Sequence, residues 1–183
     1  TLKISYCCTP SIKSTIDGHN KTQLKDTTER VASCNCRDKS KCPLDGDCRQ
    51  SGLVYQATVQ SQEQATDGIA KDVTENYVGL TDTEFKQRLA NHKQSFTKSS
   101  LKNATELSKY VWSLKDKNID HNITWKVIDK AQSYSNKTKK CNLCTLEKYY
   151  IICHQEKATL NQQCGLINSC RHSSKFLLAN HPT

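Results

Sequence analysis

Polar and apolar positions alternate over residues 53–60, with Tyr55, Ala57 and Val59 on one face, the period of a half-buried strand. Residues 75–80 read as a second short strand, and the polar stretch 61–73 around Gly68 as the loop or hairpin connection between them. Thr81 and Glu84 then stand at capping-box spacing, so their side chains are expected to satisfy reciprocal orphan N–H groups at a helix start. Phe85, Leu89, His92 and Phe96 follow at helical spacing. A second helix, starting near residues 103–106, carries Leu107, Tyr110, Val111 and Leu114 at i, i+3, i+4 and i+7. Ile123, Trp125 and Val127 alternate as a third strand. A third helix over 141–155 places Leu143, Leu146, Tyr150 and Ile151 on its apolar side. The order β-β-α-α-β-α predicts an α+β fold: a small three-stranded antiparallel sheet flanked by helices, with an N-terminal zinc-binding cysteine knuckle.

Outside these elements the chain divides by composition. Residues 1–33 read as a linker from a preceding domain, 34–51 as the cysteine-rich knuckle, 52–178 as the main domain and 179–183 as a tail. The sequence contains no Met, which leads to the expectation that it begins inside a longer polypeptide; no secretory or transit leader is visible. Apolar residues make up 35% of the chain and charged residues 25%, so the core is expected to be small and the surface well solvated. No window approaches the length of apolar sequence a membrane span needs, so no membrane association is expected.

Charge and cysteine change this picture. Lys and Arg number 27 against 18 Asp and Glu, a net charge of +9 that favours polyanionic partners through counterion release. The exposed-looking loop with Lys137, Lys139 and Lys140 adds to that balance. Cysteine occurs 11 times, an odd count that excludes complete internal disulfide pairing. Cys34, Cys36, Cys42 and Cys48 are close in sequence and supply four thiolates, enough for a closed tetrahedral zinc site. Their segment is too short and polar to fold unaided, so metal is expected to be its main source of stability. Cys141 and Cys144, at the start of the third helix, could form a second zinc site with Cys170 and His172, setting Glu147 one turn beyond. Such spacings fit zinc in a reducing, intracellular compartment better than a disulfide framework. Against this, Asn20, Asn103, Asn122 and Asn136 all lie in N-x-Thr sequons, which leaves a secreted glycoprotein as a competing reading.

The strings Leu53-Val54-Tyr55 and Tyr77-Val78-Gly79, with Arg88 and His92 four residues apart on the following helix, resemble the GIY-YIG nuclease superfamily. The likeness extends to Cys34-Asn35-Cys36-Arg37, Cys42-Pro43-Leu44, Glu106-Leu107-Ser108-Lys109-Tyr110 with Trp112, Cys141-x2-Cys144 with Glu147-Lys148, and Cys170-Arg171-His172. Within the superfamily these strings are similar to the C-terminal endonuclease of Penelope-like retroelements. The first string departs from the family's, with Leu53-Val54 in place of Gly-Ile.

The resemblance implies a metal-dependent endonuclease that nicks double-stranded DNA in the nucleus to prime reverse transcription. It also implies fusion to an upstream reverse transcriptase and association with its RNA, a link that the stretch from Ser5-Tyr6-Cys7 to His19-Asn20 resembles. Glu147 would ligate Mg2+ or Mn2+, a hard ion that keeps most of its positions for water and phosphate oxygens. Arg88 would offer a planar fork to the phosphate as charge develops. Tyr55 would activate or position the attacking water and Tyr77 would orient it; a tyrosine base would need its pKa lowered by nearby cations. His92 and Asn161 match further family positions, although in many Penelope-like nucleases the helix histidine ligates zinc instead. A catalytically inactive, zinc-stabilised nucleic-acid-binding module remains the alternative.

Overall fold

Strands β1 (Leu53–Gln64) and β2 (Ala70–Thr81) form a long antiparallel hairpin whose register runs unbroken from Leu53 opposite Thr81 to Gln64 opposite Ala70. The structure is a computed structural model that describes residues 34–64, 70–162 and 170–172. The expected linker over 1–33 and tail over 179–183 lie outside the described residues. Residues 61–64 and 70–73, expected to be loop, instead continue the ladder. Backbone pairing does not require apolar side chains, and Gln62 donates across the strands to the Asp72 carboxylate at 3.1 Å. Strand β3 (His121–Lys130) pairs antiparallel with the other edge of β1, giving the order β2-β1-β3. The sheet is the three-stranded antiparallel one expected. Along β1 and β3 the register slips once: Val54 lies opposite Asp129 and Tyr55 opposite Val127. A bulge of this kind locally increases twist and re-aims the neighbouring side chains, here at Tyr55.

Helices α1 (Phe85–Thr97), α2 (Glu106–Asp116) and α3 (Asn142–Cys153) cover the sheet. Leu53, Tyr55, Ala57, Val59 and Tyr77 form one apolar cluster with Phe85 and Leu89 of α1 and Leu107, Val111 and Leu114 of α2. Residues of opposite parity, Val54, Val78 and Leu80, join Leu143 and Cys144 of α3 in a second cluster. The alternation of the central strand therefore serves two cores, one per face.

The start of α1 corrects the expected capping box. Glu84, not Thr81, is the cap residue, and its side chain makes no cap hydrogen bond. Its carboxylate accepts from Arg49 at 3.0 Å, while the Thr81 hydroxyl donates to the Thr83 carbonyl at 3.0 Å. The helix end is satisfied by the cysteine segment instead: the Phe85 N–H donates to the Gln50 carbonyl at 2.9 Å and the Lys86 N–H to the Cys48 carbonyl at 2.7 Å. A reciprocal box does occur at α2, between Thr105 and Ser108. Cys141 caps α3, which is slightly shorter than the 141–155 expected.

Candidate active site and metal centres

Tyr55 and Tyr77 reach the same face because their backbone partners across the hairpin are Gly79 and Ala57 respectively. The Tyr55 ring lies directly over Gly79: a Cβ built there would stand 2.6 Å from the Tyr55 hydroxyl oxygen and 2.9 Å from the Tyr77 ring. Only glycine leaves room for both rings. On α1, one turn apart, Arg88 and His92 meet the same hydroxyl. Arg88 Nε lies 2.9 Å and His92 Nε2 2.7 Å from Tyr55 Oη. A guanidinium can only donate, so the Tyr55 oxygen accepts from Arg88, and its O–H is free to donate to His92 Nε2 where that nitrogen carries no proton. That assignment requires neutral His92 protonated on Nδ1, and burial together with the Arg88 charge lowers the His92 pKa to about 3. The imidazole is boxed by aromatic rings, stacked on Phe96 with centroids 6.0 Å apart and tilted against Trp125 at 5.3 Å.

Burial also raises the Tyr55 phenol above its usual range, outweighing the opposing pull of Arg88. The same holds for Tyr77, where burial is followed by the Glu147 charge. Arg88 alone therefore does not supply the lowering that a tyrosine base would need. Desolvation at a fully buried ring costs the phenolate more than one guanidinium returns. Burial therefore favours the protonated Tyr55 phenol in the protein alone.

Glu147 sits one turn into α3, 3% exposed, with its Oε1 accepting no hydrogen bond. Arg171 Nη1 lies 3.2 Å from that oxygen. Burial raises the carboxyl above its usual range against the pull of Arg171, Lys148 and Arg88, and a backbone hydrogen bond from Leu80 helps hold it. Tyr55, Tyr77 and Arg88 all lie within electrostatic reach of this carboxylate. The structure thus brings Tyr55, Tyr77, Arg88, His92 and Glu147 together. Asn161 is placed differently: its side-chain oxygen accepts from the Val78 N–H at 2.8 Å and its NH2 donates to the Val78 carbonyl at 2.9 Å. It clamps the free edge of β2 between Tyr77 and Gly79.

Among the described residues, two groups of four side chains could each hold a metal ion, with all ligand atoms of each group within 4.8 Å of one another. In the first, the sulfurs of Cys34 and Cys42 are 3.6 Å apart, and those of Cys36 and Cys48, and of Cys34 and Cys48, 3.7 Å. A tetrahedron with metal–sulfur bonds of about 2.3 Å has edges of about 3.8 Å, so these separations suit an ion at the centre. Burial opposes ionisation of Cys42, but the N–H groups of Leu44 and Gly46 and the thiols of Cys34 and Cys48 bring it down to about 6. In the second group, His172 Nδ1 lies 3.4 Å from the sulfurs of Cys141 and Cys144 and 3.8 Å from that of Cys170. Its Nε2 faces the Asp82 carboxylate at 3.5 Å, the outer partner that orients a ligating imidazole. His92 belongs to neither group; its ring is committed to Tyr55.

Three contributors escaped the sequence reading. Arg171 and Asp82 act only through contacts distant in sequence, although a residue between two ligands, as Arg171 is, must lie near their centre. Trp125 was visible only as a strand residue. No family model, no curated protein and no solved structure matches the chain.

Proposed function

We propose that this chain is a metal-dependent DNA endonuclease of the GIY-YIG type, one that nicks duplex DNA to prime reverse transcription of a retroelement. The observation that carries the reading is the ordered relay Arg88 to Tyr55 to His92 beside a buried carboxylate. A packing tyrosine needs no such pair, whereas water activation needs a hydroxyl with a donor on one side and a proton acceptor on the other.

In this reading Tyr55 Oη positions the attacking water, held in place by Arg88 on one side and His92 on the other. Arg88, which also lies against the Tyr77 hydroxyl, stabilises charge on the phosphate oxygens. Tyr77 orients the water or a phosphate oxygen, and Asn161 keeps the strand that presents Tyr77 in register. Glu147 fits a divalent cation through its buried oxygen, which accepts no hydrogen bond but is ion-paired with Arg171 at 3.2 Å. Mg2+ or Mn2+ held there supplies Lewis-acid neutralisation of developing phosphate charge. The two four-ligand groups hold zinc: one at the foot of α1, which carries Arg88 and His92, the other at the foot of α3, which carries Glu147.

The partner is double-stranded DNA. Supporting this are the net charge of +9 and the exposed Lys137, Lys139 and Lys140 before α3. The upstream reverse transcriptase and its RNA rest on the sequence resemblance. A reducing compartment, the nucleus, suits the eight described cysteines, all free. One observation favours the alternative of an inactive, zinc-stabilised binding module: the Tyr55 side chain is fully buried and its hydroxyl already has two partners.

Nicking of supercoiled plasmid with Mg2+ or Mn2+, abolished by EDTA and restored by added Mg2+, separates the two. The nuclease reading expects relaxed circles from the wild type and loss of nicking in Tyr55→Phe and Arg88→Ala with DNA affinity kept. Binding without nicking by the wild type hands the lead to the inactive module.

A further inference from the structure

Arg171 stands between two members of the second four-ligand group, Cys170 and His172, so its backbone is held wherever that group is assembled. Its guanidinium leans inward onto Glu147 Oε1 at 3.2 Å, yet its side chain is 57% exposed against 4% for the glutamate. The guanidinium is therefore ion-paired with the carboxylate without a hydrogen bond to Oε1, and more than half of its side chain is open to solvent. Among the charges acting on Glu147, Arg171 ranks ahead of Lys148 and Arg88, and it also acts on Tyr77. Three cations surround one carboxylate. A divalent ion approaching the DNA-free protein meets a ligand already paired and a field that repels it. A phosphodiester meets the opposite: a field that attracts it and a half-free guanidinium with fork geometry for two oxygens.

We propose that Arg171 is a second phosphate-binding arginine of this site and the latch on its metal ligand, so that the cation and the DNA phosphate enter together. When a phosphate oxygen takes the guanidinium, Oε1 is released, and the phosphate's negative charge offsets that of the arriving ion. Linkage then requires reciprocity: DNA tightens cation binding by the factor by which the cation tightens DNA binding. The inference rests on the nuclease reading for the identity of its anion, but its readouts are binding constants and not turnover.

The test measures Mn2+ binding by loss of the free-ion EPR signal, and affinity for a short nonspecific duplex by fluorescence anisotropy. Both are read in zinc-loaded protein carrying Tyr55→Phe to suppress cleavage, with Arg171, Arg171→Gln or Arg171→Lys. Zinc content is measured on each. With Gln, the DNA-free protein is expected to bind Mn2+ several-fold more tightly. Duplex affinity should fall about tenfold, the size of one charged contact, and the gain in Mn2+ affinity on adding duplex should shrink. Lys, which keeps the charge without the fork, should fall between. Opposite signs for the two ligands are the signature, because a structural role would weaken both and release zinc. Unchanged or weakened Mn2+ binding in Arg171→Gln at full zinc content overturns the proposal, as does zinc loss in both variants. If wild-type protein nicks plasmid while these constants do not move, the latch fails and the nuclease stands. If the constants move as expected and the wild type nicks nothing, the reverse holds.

Discussion

Cys34, Cys36, Cys42 and Cys48 gather within one stretch of chain, 14 residues from first to last, whereas Cys141 and His172 meet from 31 residues apart. The local group closes a knuckle whose carbonyls cap α1 and whose Leu44 joins the first core. The long-range group is continuous with the candidate site: Cys144 precedes Glu147 on α3, Arg171 separates two ligands, and Asp82 ties His172 to the end of β2. In both, an ion would close loops the small core cannot close, but the second has a neighbour, Arg171, in contact with a candidate site residue, Glu147. The two should therefore fail differently.

The largest effect is expected from breaking the long-range group. Cys144→Ser should release one zinc equivalent, lower stability by several kcal/mol and abolish nicking, because Glu147 and Arg171 are deprived of their common anchor. Cys42→Ser should also release one equivalent but retain measurable nicking, since α1 remains held by Phe85 and Leu89 in the first core. Zinc content, thermal unfolding and nicking of the two variants side by side make the comparison. Equal damage to nicking by both would erase the distinction.

Next in size is Gly79→Ala. The added methyl must displace the Tyr55 hydroxyl from Arg88 and His92, so single-turnover nicking should fall on the order of a hundredfold while both zinc equivalents stay bound. Near-normal nicking would show that the relay is not needed.

A smaller effect is expected from acid. His92 binds no proton in the folded chain until about pH 3, while the unfolded chain takes one near the ordinary histidine value of 6.5. Its contribution is therefore fully present above that value and is lost as pH falls toward 3, by about 1.4 kcal/mol per pH unit. Urea midpoints between pH 7 and pH 5 should fall more steeply for the wild type than for His92→Gln; parallel slopes would mean that His92 is accessible to protons.

The smallest effect concerns the basic loop. Replacing Lys137, Lys139 and Lys140 with Gln should flatten the salt dependence of duplex affinity by about 0.9 for each phosphate no longer neutralised, with nicking of saturated DNA unchanged. An unaltered salt slope would place the duplex elsewhere.

Much of this architecture could be read in the sequence because it is periodic or local. The alternation of Tyr55, Ala57 and Val59 and the helical spacing of Phe85, Leu89 and His92 each marked a buried face correctly. Both four-ligand groups were visible in spacing and residue type. Residues 61–64 and 70–73 were hidden because a two-stranded ladder can be held by backbone alone. The cap of α1 was misplaced because its partners, Gln50 and Cys48, come from a preceding segment rather than from the helix itself. The burial that raises the Tyr55 phenol was not legible because it depends on the whole fold, whereas the Arg88 charge is visible at a fixed spacing. Arg171 was overlooked for a similar reason: its contact with Glu147 spans two elements.

The central claim is that Glu147 and the Arg88–Tyr55–His92 relay form one reacting centre. Single-turnover nicking by Glu147→Gln, with duplex affinity measured at the same salt, tests it most directly. The account predicts cleavage lower by about a hundredfold or more, DNA affinity kept or raised as Arg171 is freed, and a stability equal to or above that of the wild type, since a buried charge is removed and the exposed Arg171 is left to water. Wild-type cleavage by Glu147→Gln would contradict it and place the reaction at other residues.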